Sequence, residues 1–193
     1  MPESIEVLKG DNIDIYLNAI TSHDGTYATS AWFGGERIAC TNQISAMYGS
    51  RRSSKHYTIR HTRHAVARLQ LAQTIMAGEI KAIESIRENA SILAKKSVGR
   101  KETKAFIERL FPSKDGAKLD FSKAKRDKVE ELIESGKGTD IKGVRGTAWG
   151  LFNGATEYFD HHQATRGEGH RGIRSVLSGD NFRKLAHDLA LSV

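Results

Sequence analysis

Apolar and polar side chains alternate over the first part of the chain, in the pattern of strands with one buried face. Ile13, Ile15 and Leu17 alternate with more polar neighbours, a period of two. A second run rich in apolar and aromatic residues covers positions 26–33. Together these runs predict an antiparallel meander or hairpin over residues 12–47.

Short turn sequences divide this region. Residues 23–25, His-Asp-Gly, have the chemistry of a tight turn. We expect the glycine pair at 34–35 to end the second strand and residues 37–41 to form a third. The sequence Tyr-Thr-Ile-Arg at 57–60 is a candidate for a further strand.

From residue 63 the apolar spacing changes to that of a helix. Residues 63–97 contain one glycine, Gly78, and no proline. A helix of that length would extend for about 50 Å, at about 1.5 Å per residue. Its apolar seam fits packing against the chain's own later helices better than a dimeric coiled coil. The seam consists of Leu69, Ala72, Met76, Ile80, Ile83, Ile86, Ala90 and Leu93.

Four shorter helices are predicted after the long one. Pro112 stops the first of them, and Gly136 ends the second. The predicted ranges are 101–111, 121–135, 147–163 and 180–192.

These elements predict an α+β fold, with a small N-terminal antiparallel sheet followed by a long helix and a mostly helical C-terminal half. The length fits a single domain over residues 1–193. We expect residues 1–60 to be mainly strands and residues 61–193 mainly helices, with mobile loops near 112–120 and 136–146.

Charge is distributed unevenly along this basic chain, which has 30 lysines and arginines against 23 aspartates and glutamates. The surplus concentrates in residues 51–68, here called the basic segment. A basic cluster that includes a ring able to stack suits a polyanion such as nucleic acid. A solvated face on an ordinary basic protein is the alternative. The candidate nucleic-acid-binding residues are Arg51, Arg52, Lys55, Tyr57, Arg60, Arg63 and Arg68.

Several protein classes are excluded by what the sequence lacks. No run of about 18 uncharged apolar residues occurs, so we expect no transmembrane span. The N-terminus shows no signal-peptide pattern. Cys40 is the single cysteine, which excludes a disulfide framework and favours a reduced cytosolic compartment. There is no GxxxxGK[ST] phosphate loop, and we expect no cofactor.

The segment 145–162 carries the densest group of polar side chains with chemical potential. On a helix, Asn153, Glu157 and His161 share one face with Asp160 beside them. These four residues are called the polar stripe below. They form either a site in a cleft or, as the alternative we favour on spacing alone, an exposed Glu–His pair of small energy. Gly150 and Gly154, four apart, permit close helix packing.

A second group lies where the sheet meets the long helix. Cys40-Thr41-Asn42 follows a strand, and Arg60-His61-Thr62 opens the helix, whose free N–H groups favour phosphate. No recognised ligand spacing joins the histidines and carboxylates, so we expect no metal. A lone strand cysteine is more often a buried apolar residue than a nucleophile.

Four segments resemble successive landmarks of one family. The chain is similar to the phage- and plasmid-encoded group known as domain of unknown function 932, over about residues 36–192. The resemblance implies that the protein comes from a mobile element and is located in a bacterial cytoplasm. It does not imply any particular activity. The segments are RIACTNQI, TIRHTRHA, RGTAWGLFNGATEYFDHH and SVLSGDNFRKLAHDLAL.

The leading hypothesis is a nucleic-acid-binding accessory protein of a phage or plasmid, acting in single-strand annealing, recombination or counter-defence. Single-stranded DNA is the favoured partner, no membrane is expected, and a homo-oligomer or a host protein target stays open. One alternative is a protein-binding inhibitor of a host factor that uses the charged helices 101–135. The other is a phosphoesterase or nucleotide-processing enzyme with Asn42, His61, Asn153, Glu157, Asp160 and His161 as candidate catalytic residues.

Overall fold

Five antiparallel strands form one sheet in the computed structural model of the chain. The structure describes residues 4–20, 29–45, 57–59, 79–113, 122–163 and 182–193. The strands are β1 (Ser4–Leu8), β2 (Asp11–Ile20), β3 (Thr29–Arg37), β4 (Asn42–Ser45) and β5 (Tyr57–Ile59).

Strands β4 and β5 both pair with the same edge of β3. Ser45, the last residue of β4, lies opposite Gly34, and Tyr57, the first residue of β5, lies opposite Ala31. The end of β4 and the start of β5 therefore lie opposite positions three residues apart on β3. Strands β1 and β2 pair in order on the other side of β3. The further strand predicted at 57–60 is confirmed.

The prediction that a glycine pair ends the second strand is wrong. Strand β3 continues through Gly34 and Gly35 to Arg37, because Gly35 allows the side chain of Ile13 to lie against the sheet. A Cβ atom added at Gly35 would lie 2.4 Å from Cγ2 of Ile13. A missing side chain here signals close packing rather than a break.

The third predicted strand, residues 37–41, is also wrong, since residues 38–41 form a turn. The amides of Cys40 and Thr41 both donate to the Arg37 carbonyl, at 3.3 and 2.8 Å. Thr41 has a φ of 55°, which is outside the strand region. Strand β4 begins only after this residue.

Strand β1 lies in the region expected to be mainly strands, although the predicted meander begins only at residue 12. It joins β2 through a turn at Lys9 and Gly10, and Gly10 has a φ of 84° that favours glycine. Ile5 of β1 is buried opposite Ile13 of β2, so both contribute to the core beneath the sheet.

The C-terminal half is helical, and the expected α+β fold is confirmed. The seam of the long helix is buried at Ile83, Ile86, Ala90 and Leu93, while residues 63–78 of that prediction lie outside the described part. No helix among the described residues is long and apolar enough to cross a membrane. The helices are α1 (Glu79–Lys95), α2 (Arg100–Leu110), α3 (Lys123–Ser135), α4 (Ala148–Glu157) and α5 (182–192), and a π-helical turn, Tyr158–His162, extends α4.

Helix α4 lies at the centre of the described structure, and all ten of its residues are buried. It packs against α3, α1 and β4, while α1 covers β1 and β3. The close approach predicted for Gly154 is present, because a Cβ there would lie 2.6 Å from Cγ1 of Ile133 on α3. The Thr147 hydroxyl caps the helix by accepting from the Gly150 amide at 3.3 Å.

Gly154→Ala should lower the free energy of unfolding by about 1–3 kcal/mol, because the added methyl group overpacks the contact with Ile133. Alanine is intrinsically about 1 kcal/mol better than glycine in a helix, so the sign of the change is diagnostic. Urea unfolding followed by circular dichroism measures it. Glu88→Ala, at an exposed position of α1, is the control and should change stability by less than about 0.5 kcal/mol. A stabilised Gly154→Ala variant would contradict the packing.

Candidate functional site

A fully buried ion pair between Asp11 and Arg37 connects the neighbouring strands β2 and β3. Arg37 of β3 donates from Nε to Oδ1 of Asp11 at 2.6 Å and from Nη2 to Oδ2 at 2.8 Å. Trp149 of α4 donates from its indole nitrogen to the same Oδ2, at 2.8 Å. The guanidinium carbon of Arg37 also lies 5.7 Å from the centre of the Trp149 ring. The sheet and the central helix therefore share one buried carboxylate.

The same guanidinium holds the turn that follows α3. It donates to the carbonyls of Lys137 at 3.4 Å and Gly138 at 3.2 Å, and it lies 3.6 Å from the Cys40 sulfur. Gly138 has a φ of 74°, and a Cβ there would lie 3.0 Å from Nη2 of Arg37. Glycine is thus needed both for the backbone conformation and for access to the arginine.

Glu157, the central member of the polar stripe, is buried beside this turn. Its Oε2 accepts from the backbone amide of Lys137 at 3.1 Å. A Cβ at Gly136 would lie 2.5 Å from that oxygen, so the turn closes directly over the carboxylate. Burial raises the pKa of Glu157, and the hydrogen bond from Lys137 and the nearby His161 and Arg37 partly oppose the shift.

His161 connects the end of the π-helical turn to the turn between β3 and β4. Its Nε2 lies 3.0 Å from the Cys40 carbonyl and 3.4 Å from the Thr41 hydroxyl. A carbonyl oxygen only accepts, so the Cys40 contact requires a proton on Nε2. Thr41 is the one described non-glycine residue with a positive φ, so His161 contacts a residue in the left-handed conformation.

The other two members of the polar stripe contact different partners. Asn153 donates from Nδ2 to the Trp149 carbonyl one turn earlier in α4, at 2.8 Å. Asp160 accepts from Nη2 of Arg183 on α5 at 2.5 Å, and both side chains are buried. The Arg183 guanidinium lies over the ring of Phe159, 5.6 Å from its centre.

The alternative of an exposed Glu157–His161 pair is wrong, because Glu157 is only 4% exposed. The π-helical turn changes the angular spacing after Glu157, and Asp160 and His161 then contact different elements. Three of the four polar side chains, Glu157, Asp160 and His161, join α4 or its extension to another part of the chain, and Asn153 bonds within α4. Because its pKa is raised, Glu157 can keep its proton to a higher pH than an exposed glutamate. Among the described residues, no group of His, Cys, Asp and Glu side chains could hold a metal ion.

The structure places only part of the predicted site. Asn42 is the first residue of β4, next to the Thr41–His161 contact, and Tyr57 is the first residue of β5; the side chains of both lie outside the described part. His61 also lies outside it. So do Arg51, Arg52, Lys55, Arg60, Arg63 and Arg68.

The outward face of the sheet carries negative charge. Asp14 of β2 and Glu36 of β3 lie directly opposite each other, and Glu6 of β1 is exposed. Tyr16 donates from its hydroxyl to Asp14 at 3.5 Å. Partial loss of hydration and the charges of Asp14 and Glu36 raise the pKa of Tyr16. This face therefore repels an anion.

Sequence reasoning missed the buried pair of Asp11 and Arg37. Both residues are charged, and each stands next to a turn, where charged side chains are usually solvated. Their pairing depends on the register of β2 against β3, and no local signal reveals it.

Comparison with known proteins identifies the family of this chain. The family model described as "Domain of unknown function (DUF932)" matches residues 1–177, so the chain belongs to that family. The match begins further toward the N-terminus than the resemblance over residues 36–192 suggested, and it includes β1 and β2. No curated protein and no solved structure matches the chain.

Asp11→Asn should lower the free energy of unfolding by about 3–5 kcal/mol, because it leaves the buried Arg37 charge without a counter-charge. Urea unfolding provides the measurement. Asp14→Asn, on the outward face of the same strand, is the matched control and should cost less than about 0.5 kcal/mol. Replacing both partners, as Asp11→Leu with Arg37→Met, should restore part of the loss. Equal effects of Asp11→Asn and Asp14→Asn would contradict the role of the pair.

Glu157→Gln should become more stable relative to the wild type as pH rises from about 4 toward neutrality. The raised pKa of Glu157 means that the folded state retains a proton that the unfolded state has lost, so this carboxyl group makes stability fall over that range. Glutamine keeps an oxygen for the Lys137 amide and does not titrate. Unfolding free energies at several pH values test this.

The control for this pH series is Glu108→Gln, which removes an exposed carboxylate from α2. It should change the pH dependence of stability much less than Glu157→Gln. A difference between wild type and Glu157→Gln that does not vary with pH would contradict the assignment.

Proposed function

We propose that this member of the DUF932 family binds nucleic acid through its basic segment, with single-stranded DNA as the favoured partner. It would act as an accessory protein of a phage or plasmid, in annealing, recombination or counter-defence within the bacterial cytoplasm. The observation that carries the proposal is the position of the basic residues, in a stretch without acids that begins at one edge of the sheet.

Residues 46–78 contain six lysines and arginines and no aspartate or glutamate. A stretch of this kind attracts phosphates and gains affinity by releasing counterions. The structure supports a defined anchor for it, because Ser45 and Tyr57 pair with nearby positions of β3. The eleven residues between them include Arg51, Arg52 and Lys55 and start and finish at this edge.

The negative face of the sheet favours binding at the edge and not across the face. Asp14 and Glu36 repel phosphates where many small nucleic-acid-binding sheets would present aromatic rings. Tyr57 is the first residue of β5, and it is the aromatic residue to which we assign the stacking of a base. Stacking requires an unpaired base, which is the physical reason to favour single strands.

The enzyme alternative has less support from the described residues. Glu157 accepts from the Lys137 amide and Asp160 from Arg183, so both carboxylates hold parts of the fold together. The raised pKa of Glu157 is compatible with proton transfer, and it is equally the consequence of burial. A protein-binding inhibitor would show no affinity for bare DNA, and the same experiment separates it.

Fluorescence anisotropy of labelled single-stranded and duplex oligonucleotides, titrated with salt, tests the proposal. We expect tighter binding to single strands and an affinity that falls steeply with salt. Each phosphate contact should contribute about −0.7 to the slope of the logarithm of the binding constant against the logarithm of the salt concentration. The variant Arg51→Ala, Arg52→Ala, Arg60→Ala and Arg63→Ala should bind much more weakly and with a slope shallower by about 2 to 3.

A matched control removes the same number of charges from exposed positions on α1, α2 and α3. It carries Arg87→Ala, Lys101→Ala, Lys104→Ala and Lys123→Ala, and it should retain most of the affinity. Circular dichroism verifies that both variants are folded. Equal losses in the two variants would indicate attraction by net charge alone and would contradict a binding site at the basic segment. No binding at low salt would contradict the function itself.

A further inference from the structure

A pocket of about 450 Å³ is lined by none of the residues of the polar stripe or the basic segment. It is bounded by the residues between α1 and α2, the start of α2, the second half of α3 and the turn before α4. Val98 supplies apolar surface, the buried Leu151 also lines the pocket, and the volume is in the range of small-molecule sites.

The pocket carries charges of both signs. Arg100 and Arg145 line it from α2 and from the turn before α4, and Glu130 and Glu134 line it from one face of α3. Among the described residues, no ion pair involves any of these four side chains. Two cations and two anions therefore share a pocket without neutralising each other at contact distance.

Of the two charges at helix ends, one lacks compensation. Arg100 is the first residue of α2, where the helix dipole is positive, but Glu102 in the same turn compensates it. Glu134 lies in the last turn of α3, where the dipole is negative and no basic residue compensates. Local rules broken without compensation are expected where a ligand supplies the missing partner.

From this arrangement we infer that the pocket binds a nucleoside monophosphate. The phosphate pairs with the guanidinium groups of Arg100 and Arg145, which suit bidentate contacts to phosphate oxygens. The sugar hydroxyls and the amino groups of a base donate to Glu130 and Glu134, as carboxylates accept from ribose in other nucleotide sites. The base lies against the apolar surface of Val98.

This ligand class explains the lining better than a simple anion does. Inorganic phosphate would use the two arginines and leave the two glutamates unpartnered near its own negative charge. The binding mode also differs from a phosphate-cradling glycine loop, because side chains from three elements hold the ligand. The inference goes beyond the proposed function, and it uses none of the residues of the basic segment.

Isothermal titration calorimetry on the full-length chain at low salt tests the inference, with AMP, GMP, CMP and UMP as probes. Adenosine and inorganic phosphate are the partial ligands, and both should bind at least about tenfold more weakly than AMP. Arg100→Gln and Arg145→Gln should each weaken nucleotide binding by about fivefold or more. Glu134→Gln should weaken nucleotide binding and leave or improve the binding of phosphate.

Lys101→Gln is the matched control, because Lys101 follows Arg100 on α2 and does not line the pocket. It should leave the affinity within about twofold. The four-alanine variant of the basic segment should also bind AMP normally, so failure here and failure of DNA binding are separable. The inference is overturned by no nucleotide binding up to about 10 mM, by phosphate binding as tightly as AMP, or by affinities unaffected by Arg100→Gln and Arg145→Gln.

Discussion

The buried pair of Asp11 and Arg37 is the interaction on which the described structure depends. Moving a carboxylate and a guanidinium out of water costs several kcal/mol for each ion, and only close geometry with further hydrogen bonds offsets this. The indole of Trp149 and the carbonyls of Lys137 and Gly138 supply those bonds. Two strands, one turn and the central helix must therefore all be in place before either charge is satisfied. The pair therefore favours this fold over others, since few other arrangements of the chain would offset the free-energy cost of desolvating both charges.

The polar stripe follows from this constraint. Helix α4 is buried on every side, so its polar side chains must find partners within the protein. Glu157 reaches the turn beneath Arg37, and His161 reaches the turn that ends β3. The π-helical turn after Glu157 directs Asp160 to Arg183 on the last helix. The segment with the most chemical potential in the sequence is thus the part of the molecule where sheet, turns and helices are joined.

Charge is distributed unevenly along the chain and over its described surface. The outward face of the sheet is negative at Glu6, Asp14 and Glu36, whereas the stretch from 46 to 78 has no acid. The pocket beside α2 and α3 contains both signs. Our proposals assign the stretch without acids to an anionic polymer and the pocket to a small ligand that presents both a phosphate and hydrogen-bond donors.

The sequence by itself determined the elements whose residues repeat with a regular period. The helices near 101–111, 121–135 and 147–163 and the buried seam of α1 follow from local apolar spacing, which depends only on residues three or four apart. The tertiary structure decided what depends on distant partners. Residues 37–41 form a short run typical of a strand, but residues 38–41 turn. The Arg37 carbonyl accepts from the amides of Cys40 and Thr41, and the Arg37 side chain pairs with Asp11, 26 positions earlier. The environment of Glu157 is likewise set by a backbone amide 20 positions away, which no local pattern encodes.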